Sequence, residues 1–131
     1  MKKDDCIFCK LANGVFPTYS FYEDDDFKVI LDAAPAAKGH ALILPKQHFE
    51  NIYDIDLETL IEIEKASKEV SKILKEKLNC DGITRMQNNE YGQEVKHYHM
   101  HIVPRYENDN LEINHEKNRK DDPKNIYDKI V

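Results

Sequence analysis

Short strand-like runs around one long amphipathic helix predict a single domain of mixed α and β structure. Between residues 57 and 78, Leu60, Ile63, Ser67, Val70, Ile73, Leu74 and Leu78 recur at helical spacing, the mark of a helix that buries one stripe. Elsewhere, β-rich runs are separated by Gly, Pro and acidic clusters, the punctuation of strands and turns. A third observation is the alternation in Lys96-His97-Tyr98-His99-Met100-His101-Ile102-Val103-Pro104-Arg105, which suits a strand and no helix. At 131 residues the chain is long enough to bury a real core.

The elements follow in order. Cys6-Ile7-Phe8-Cys9 is either half of a metal site or a redox dithiol. No strand fits in front of Cys6, the usual setting of the redox pair, and zinc needs two further ligands. Residues Lys10 to Gly14 suit a helical turn, and Tyr19–Tyr22 a first strand. Glu23 to Asp26 make a charged turn before a second strand, Phe27–Asp32. A loop over 33–39 leads to a third strand, His40–Leu44, ended by Pro45. Asp32 stands where its strand gives out, and its spacing favours a turn cap over an acidic group offered to a ligand. His48–Ile52 reads as a turn or a helical start. The long helix follows over Leu57–Leu78, with Asp56 as its cap, Glu58 in its first turn and Lys72, Lys75 and Lys77 near its end. Cys80 reads as a small buried residue. Ile83–Asn88 is a fourth strand and 89–92 a turn, which brings Asn88, Gly92 and Gln93 to the mouth of whatever site holds His99. Past Arg105 the chain turns polar and aperiodic, so residues 106–131 are expected to form a tail or arm beside a domain at 1–105.

Composition narrows the function. A net charge of −6 without a basic stripe argues against a nucleic-acid partner. No run approaches the ~20 apolar residues needed to cross a bilayer, and the N-terminus lacks a signal-like apolar stretch. The expectation is a soluble, cytoplasmic protein without a membrane partner, whose three cysteines are thiols or metal ligands.

Three of the six histidines fall at 97, 99 and 101, so in a strand all three project from one face, roughly 6.5–7 Å apart at their origins. Such a row is a half-solvated strand, a three-imidazole metal site that activates water, or a nucleophilic histidine between two that orient a substrate.

The chain resembles the histidine-triad (HIT) superfamily, in particular small bacterial proteins related to the Hint nucleoside phosphoramidases. The resemblance runs from about residue 5 to 105. It rests on residues 6–10, 27–32, 38–48 and Gly92-Gln93-Glu94-Val95, and above all on the row from His97 to Arg105. It implies an α+β fold, an antiparallel sheet with one long packed helix, working as a homodimer on a purine nucleotide. It implies that His99 attacks an α-phosphate and carries the nucleotidyl group, that His101 binds a phosphate oxygen, and that Gln93 orients the phosphate or leaving group. Asp32 becomes the ribose-binding acid, with Ile7, Phe8, Phe16 and Ile30 lining the base pocket. Cys6, Cys9, His48 and His97 become a closed structural zinc site, and His40 lies behind the triad.

The activity implied is hydrolysis of a nucleoside 5′-phosphoramidate or related nucleotidyl substrate. Its rivals are dinucleoside polyphosphate hydrolysis or nucleotidyl transfer, metal-dependent hydrolysis at the triad, and nucleotide binding without turnover. Two departures bear on the leaving group: the loop Asn88–Gly92 is short, and Glu94 replaces a small hydroxyl residue.

Overall fold

The computed structural model describes residues 3–112 and 121–131. Five strands form one antiparallel sheet in the order β1-β2-β3-β5-β4: β1 (Ser20–Glu23), β2 (Phe27–Leu31), β3 (Ala41–Pro45), β4 (Gly82–Met86) and β5 (Met100–Arg105). Three helices accompany it: α1 (Ile7–Ala12), α2 (Leu57–Leu78) and α3 (Pro123–Ile130). The predicted α+β class, sheet and long helix are all present.

Helix α2 keeps the bounds read from the sequence. Asp56 accepts the Thr59 N–H at 2.8 Å, and Asn79, at φ 51°, ends the helix in the left-handed region that asparagine tolerates. Its Ile63, Ala66, Val70 and Leu74 bury against Phe27, Val29, Ala41, Ile43, Tyr98 and Ile102 on one face of the sheet. Ile73 departs from the expected stripe and remains over a third exposed.

On the opposite face, Ile30, Leu42 and Leu44 pack with Ala12, and Phe8 and Leu11 of α1 close over them. Lys28 is buried there, its ammonium 3.3 Å from the Leu11 carbonyl at the end of α1. That cation meets the negative end of the helix and ties α1 to β2.

Four readings shift. Helix α1 begins at Ile7, not Lys10, because the Cys6 side chain caps it. Strand β4 ends at Met86, short of Asn88. The tail is not aperiodic throughout: residues 123–130 form a helix capped by Asp122, with Ile126, Tyr127 and Ile130 exposed. Residues 113–120 lie outside the described residues.

The fourth shift concerns the histidine row, of which only the part from Met100 is laddered. The register runs Ala41↔Ile102, Leu42↔His101, Ile43↔Met100, and stops before Leu44 and Pro45. Pro45 has no N–H to give, and its carbonyl accepts from the His97 ring at 2.8 Å, while Tyr98 N–H bonds to Phe49 O at 2.7 Å. The alternation persists without the ladder. Tyr98, Met100 and Ile102 belong to the α2-side core, and Phe8 of α1 packs against the rings of His97 and His99 on the other side.

Ile43 is fully buried at the centre of the sheet. Ile43→Ala should cost about 2–5 kcal/mol, read from the urea midpoint at unchanged m-value.

Candidate active site and adjoining metal centre

Helix α1, the turn after β3 and the approach to β5 converge to gather Cys6, Cys9, His48 and His97, whose ligand atoms all lie within 4.8 Å of one another. His97 Nδ1 is 3.4 Å from each sulfur and 3.2 Å from His48 Nδ1, which is 3.4 Å from Cys9 Sγ. A tetrahedral ion with bonds of about 2.3 Å to sulfur and 2.05 Å to nitrogen needs N···N edges of about 3.3 Å and N···S edges of about 3.5 Å. The donor set fits. Two main-chain amides support the sulfurs: Cys9 N–H donates to Cys6 Sγ at 3.3 Å and Lys3 N–H to Cys9 Sγ at 3.4 Å. Because the Pro45 carbonyl can only accept, His97 carries its proton on Nε2 and turns a bare Nδ1 to the cluster. Burial holds the His97 ring down to about 4, so it is a neutral ligand at pH 7. A tetrahedral ion held by these four protein donors would have no vertex left for water.

The second cluster adjoins the first through His97. The His97 carbonyl lies 2.7 Å from His99 Nδ1, so that nitrogen donates and Nε2 is left bare. Burial keeps the His99 ring below its ordinary pKa, and Phe8 stands edge-on to it with centroids 4.7 Å apart. The His101 ring is 4.8 Å from that of His99, and its Nδ1 is 2.9 Å from His40 Nε2. His40 Nδ1 in turn accepts the Ala36 N–H at 2.9 Å.

Asp32, His40 and His101 also lie close enough together to hold a cation. The protons argue otherwise. With Nδ1 accepting from Ala36, neutral His40 keeps its hydrogen on Nε2, the atom a cation there would need bare.

The other predicted residues divide. Asp32 caps the turn, its Oδ1 accepting the Ala34 N–H at 2.8 Å, while Oδ2 lies 3.6 Å from His40 Nε2. Phe8 packs against the His99 ring, whereas Ile30 is buried in the core behind it. Ile7 is partly exposed in a recess of about 300 Å³ that it shares with Glu94 and His48. Phe16 lies outside the triad contacts, with the Lys10 ammonium 5.7 Å from its ring centroid. Asn88 is half-buried beyond β4, and its carbonyl accepts from the Gln87 amide. Gln93 is buried and committed to backbone: it accepts Glu90 N–H at 3.1 Å and donates to Glu50 O at 2.6 Å. It holds the loop that carries Glu90, at φ 66°, and Gly92, at φ 87°. What sequence reasoning missed is main-chain: the Pro45 and His97 carbonyls and the amides of Lys3 and Ala36. No residue type signals them.

If the four donors hold an ion, a strong chelator should lower Tm by about 10 °C, equivalent to ~4 kcal/mol of linkage at a thousandfold excess over Kd. Cys6→Ser/Cys9→Ser should abolish both the bound metal, measured by elemental analysis, and the chelator effect. The His101 ring gives a second expectation. Burial, then the neighbouring His99 and His40 rings, hold it down to about 4 from 6.5. The unfolded chain therefore binds the proton first, so stability rises with pH between those values and is lost as pH falls through them. Urea midpoints taken across that window, with chelator present, should fall less steeply for His101→Gln than for wild type.

Comparison with known proteins agrees with this geometry. The HIT domain model matches residues 13–108. An uncharacterised HIT-like protein of Methanocaldococcus jannaschii is 43% identical over 106 residues, 79% of this chain and 81% of its own length. The adenosine 5′-monophosphoramidase of Saccharomyces cerevisiae is 36% identical over 102 residues, 76% of this chain and 62% of its own. A HIT-family crystal structure from Bacillus subtilis superposes with a TM-score of 0.85 at 33% identity, covering 97% of this chain and 95% of that one. A zinc-bound histidine-triad protein of Mycobacterium smegmatis does so at 0.78 and 32%, covering 88% and 85%. A chain matched over most of its length in sequence and in fold, with its histidine row placed as described, belongs to the HIT domain family.

Proposed function

We propose that the chain is a hydrolase that cleaves a nucleoside 5′-phosphoramidate, or a related nucleotidyl bond, through a covalent nucleotidyl-His99. The observation that carries this reading is the 2.7 Å bond from His99 Nδ1 to the His97 carbonyl, which leaves Nε2 bare, neutral and fixed in direction. The yeast relative, an adenosine 5′-monophosphoramidase, supplies the substrate class. The fit of Cys6, Cys9, His48 and His97 to a tetrahedron, together with the zinc-bound Mycobacterium smegmatis relative, favours zinc as the ion. Cys6, Cys9, His48 and His97 would hold the ion, which would supply rigidity by joining the N-terminal helix to the residue that orients His99.

In this mechanism His99 Nε2 attacks the α-phosphorus, the N–P bond forms and the bond to the leaving nitrogen breaks. That nitrogen takes one proton from solvent and departs as the amine. The imidazolium keeps its Nδ1 proton in the bond to the His97 carbonyl, and His101 donates to a phosphate oxygen as charge develops. Water then attacks phosphorus, the His99 N–P bond breaks, and one proton returns to solvent with the nucleoside monophosphate. Phe8 flanks the purine, Asp32 binds the ribose hydroxyls, and Gln93 braces the rim from behind. The same reading takes the protein as a cytoplasmic homodimer, with a HIT domain at 1–105 and an arm at 106–131.

Rapid quench with adenosine 5′-phosphoramidate followed by intact-mass measurement should show one acid-labile adenylyl group on wild type and none on His99→Ala. With fast turnover, a slower substrate such as an aryl phosphoramidate should reveal it. Nucleotide binding with neither adduct nor turnover would sink the hydrolase reading in favour of a binding protein.

A further inference from the structure

His40 is almost fully buried, belongs to neither the metal set nor the reacting pair, and yet bonds directly to His101. We propose that His40 is a positioning residue that keeps the His101 proton on Nε2, with the polarity set by the peptide N–H of Ala36. The inference rests on the reading of His99 and His101 as the reacting pair.

A peptide N–H can only donate. At 2.9 Å from His40 Nδ1 it requires that nitrogen to be bare, which puts the His40 hydrogen on Nε2. His40 Nε2 then donates across 2.9 Å to His101 Nδ1, and the His101 hydrogen is left on Nε2. Reversing the chain would turn an N–H of His40 against the N–H of Ala36. The competing acceptor, Asp32 Oδ2, is 3.6 Å from His40 Nε2, beyond hydrogen-bond length. Burial lowers the proton affinity of both rings, so neither needs to be charged.

The loop is built to hold that amide in place. Asp32 Oδ1 fixes Ala34, and His40 N–H bonds to Ala37 O at 3.1 Å. Gly39 has φ +89°, a conformation that side-chain-bearing residues rarely adopt, so glycine suits the turn. The result is two neighbouring rings of opposite polarity. His99 presents a bare Nε2 to an electrophile, and His101 presents an Nε2–H to the oxygen beside it.

Two-bond ¹H–¹⁵N spectra of the full chain with ¹⁵N-labelled histidine report which ring nitrogen bears each hydrogen. In wild type, His40 and His101 should both be protonated at Nε2 and bare at Nδ1. His40→Gln offers an amide NH₂ where Nε2 stood and a carbonyl toward Ala36, so it should preserve the His101 pattern. His40→Leu should yield a mixture, with kcat reduced roughly 10–100-fold and KM little changed, and His40→Gln should recover most of the loss. A wild-type His101 protonated at Nδ1 overturns the proposal, as does an unchanged pattern in His40→Leu. If that variant does not fold, the wild-type spectrum alone still decides. The spectra need no substrate, so the expected pattern in a protein without turnover would uphold this proposal and overturn the hydrolase reading.

Discussion

The position of His97 is the constraint on which both clusters depend. Its Nδ1 faces two sulfurs and another imidazole, its Nε2–H is taken by Pro45, and its carbonyl directs His99. Among the described residues His97 alone bonds in this way to the sheet, the N-terminal helix and His99. A displacement of its backbone would disturb the donor cluster and the His99 ring together, because one residue serves both, through its ring and its carbonyl.

That position is held from the opposite side of the sheet. Tyr98 and Ile102 are buried against α2, so the alternation that points histidines one way anchors apolar side chains the other way. The ladder can then be dispensed with at His97 and His99. Releasing them from β3 frees the Pro45 carbonyl for a side chain and brings His48 within reach. Crowding so many imidazoles is tolerable because burial lowers their proton affinity and favours the neutral rings.

Period-two and period-3.6 patterns made the sheet order's raw material and the bounds of α2 legible, since both reflect which side chains face a core. The limits of β4 and β5 were not legible, because strand ends depend on which carbonyls are already taken, a long-range matter. The start of α1 was hidden by an unusual cap, a cysteine. Gln93 was read as facing substrate because a side-chain amide suits phosphate equally well. Only the fold reveals that the Glu90 N–H and the Glu50 carbonyl claim both ends of it. The metal set needed the resemblance, as residues 88 and 91 positions apart contact each other only through the fold.

The origin of the hydrogen-bond chain in a peptide group has an evolutionary corollary. Every amino acid except proline brings the same N–H to position 36, so the polarity of the site is insulated from substitution there. The Ala36 side chain lines a separate cleft with Thr84, Val103 and Leu111. Substitution can therefore reshape that cleft, residue by residue, while the chain from Ala36 through His40 to His101 keeps the same peptide donor.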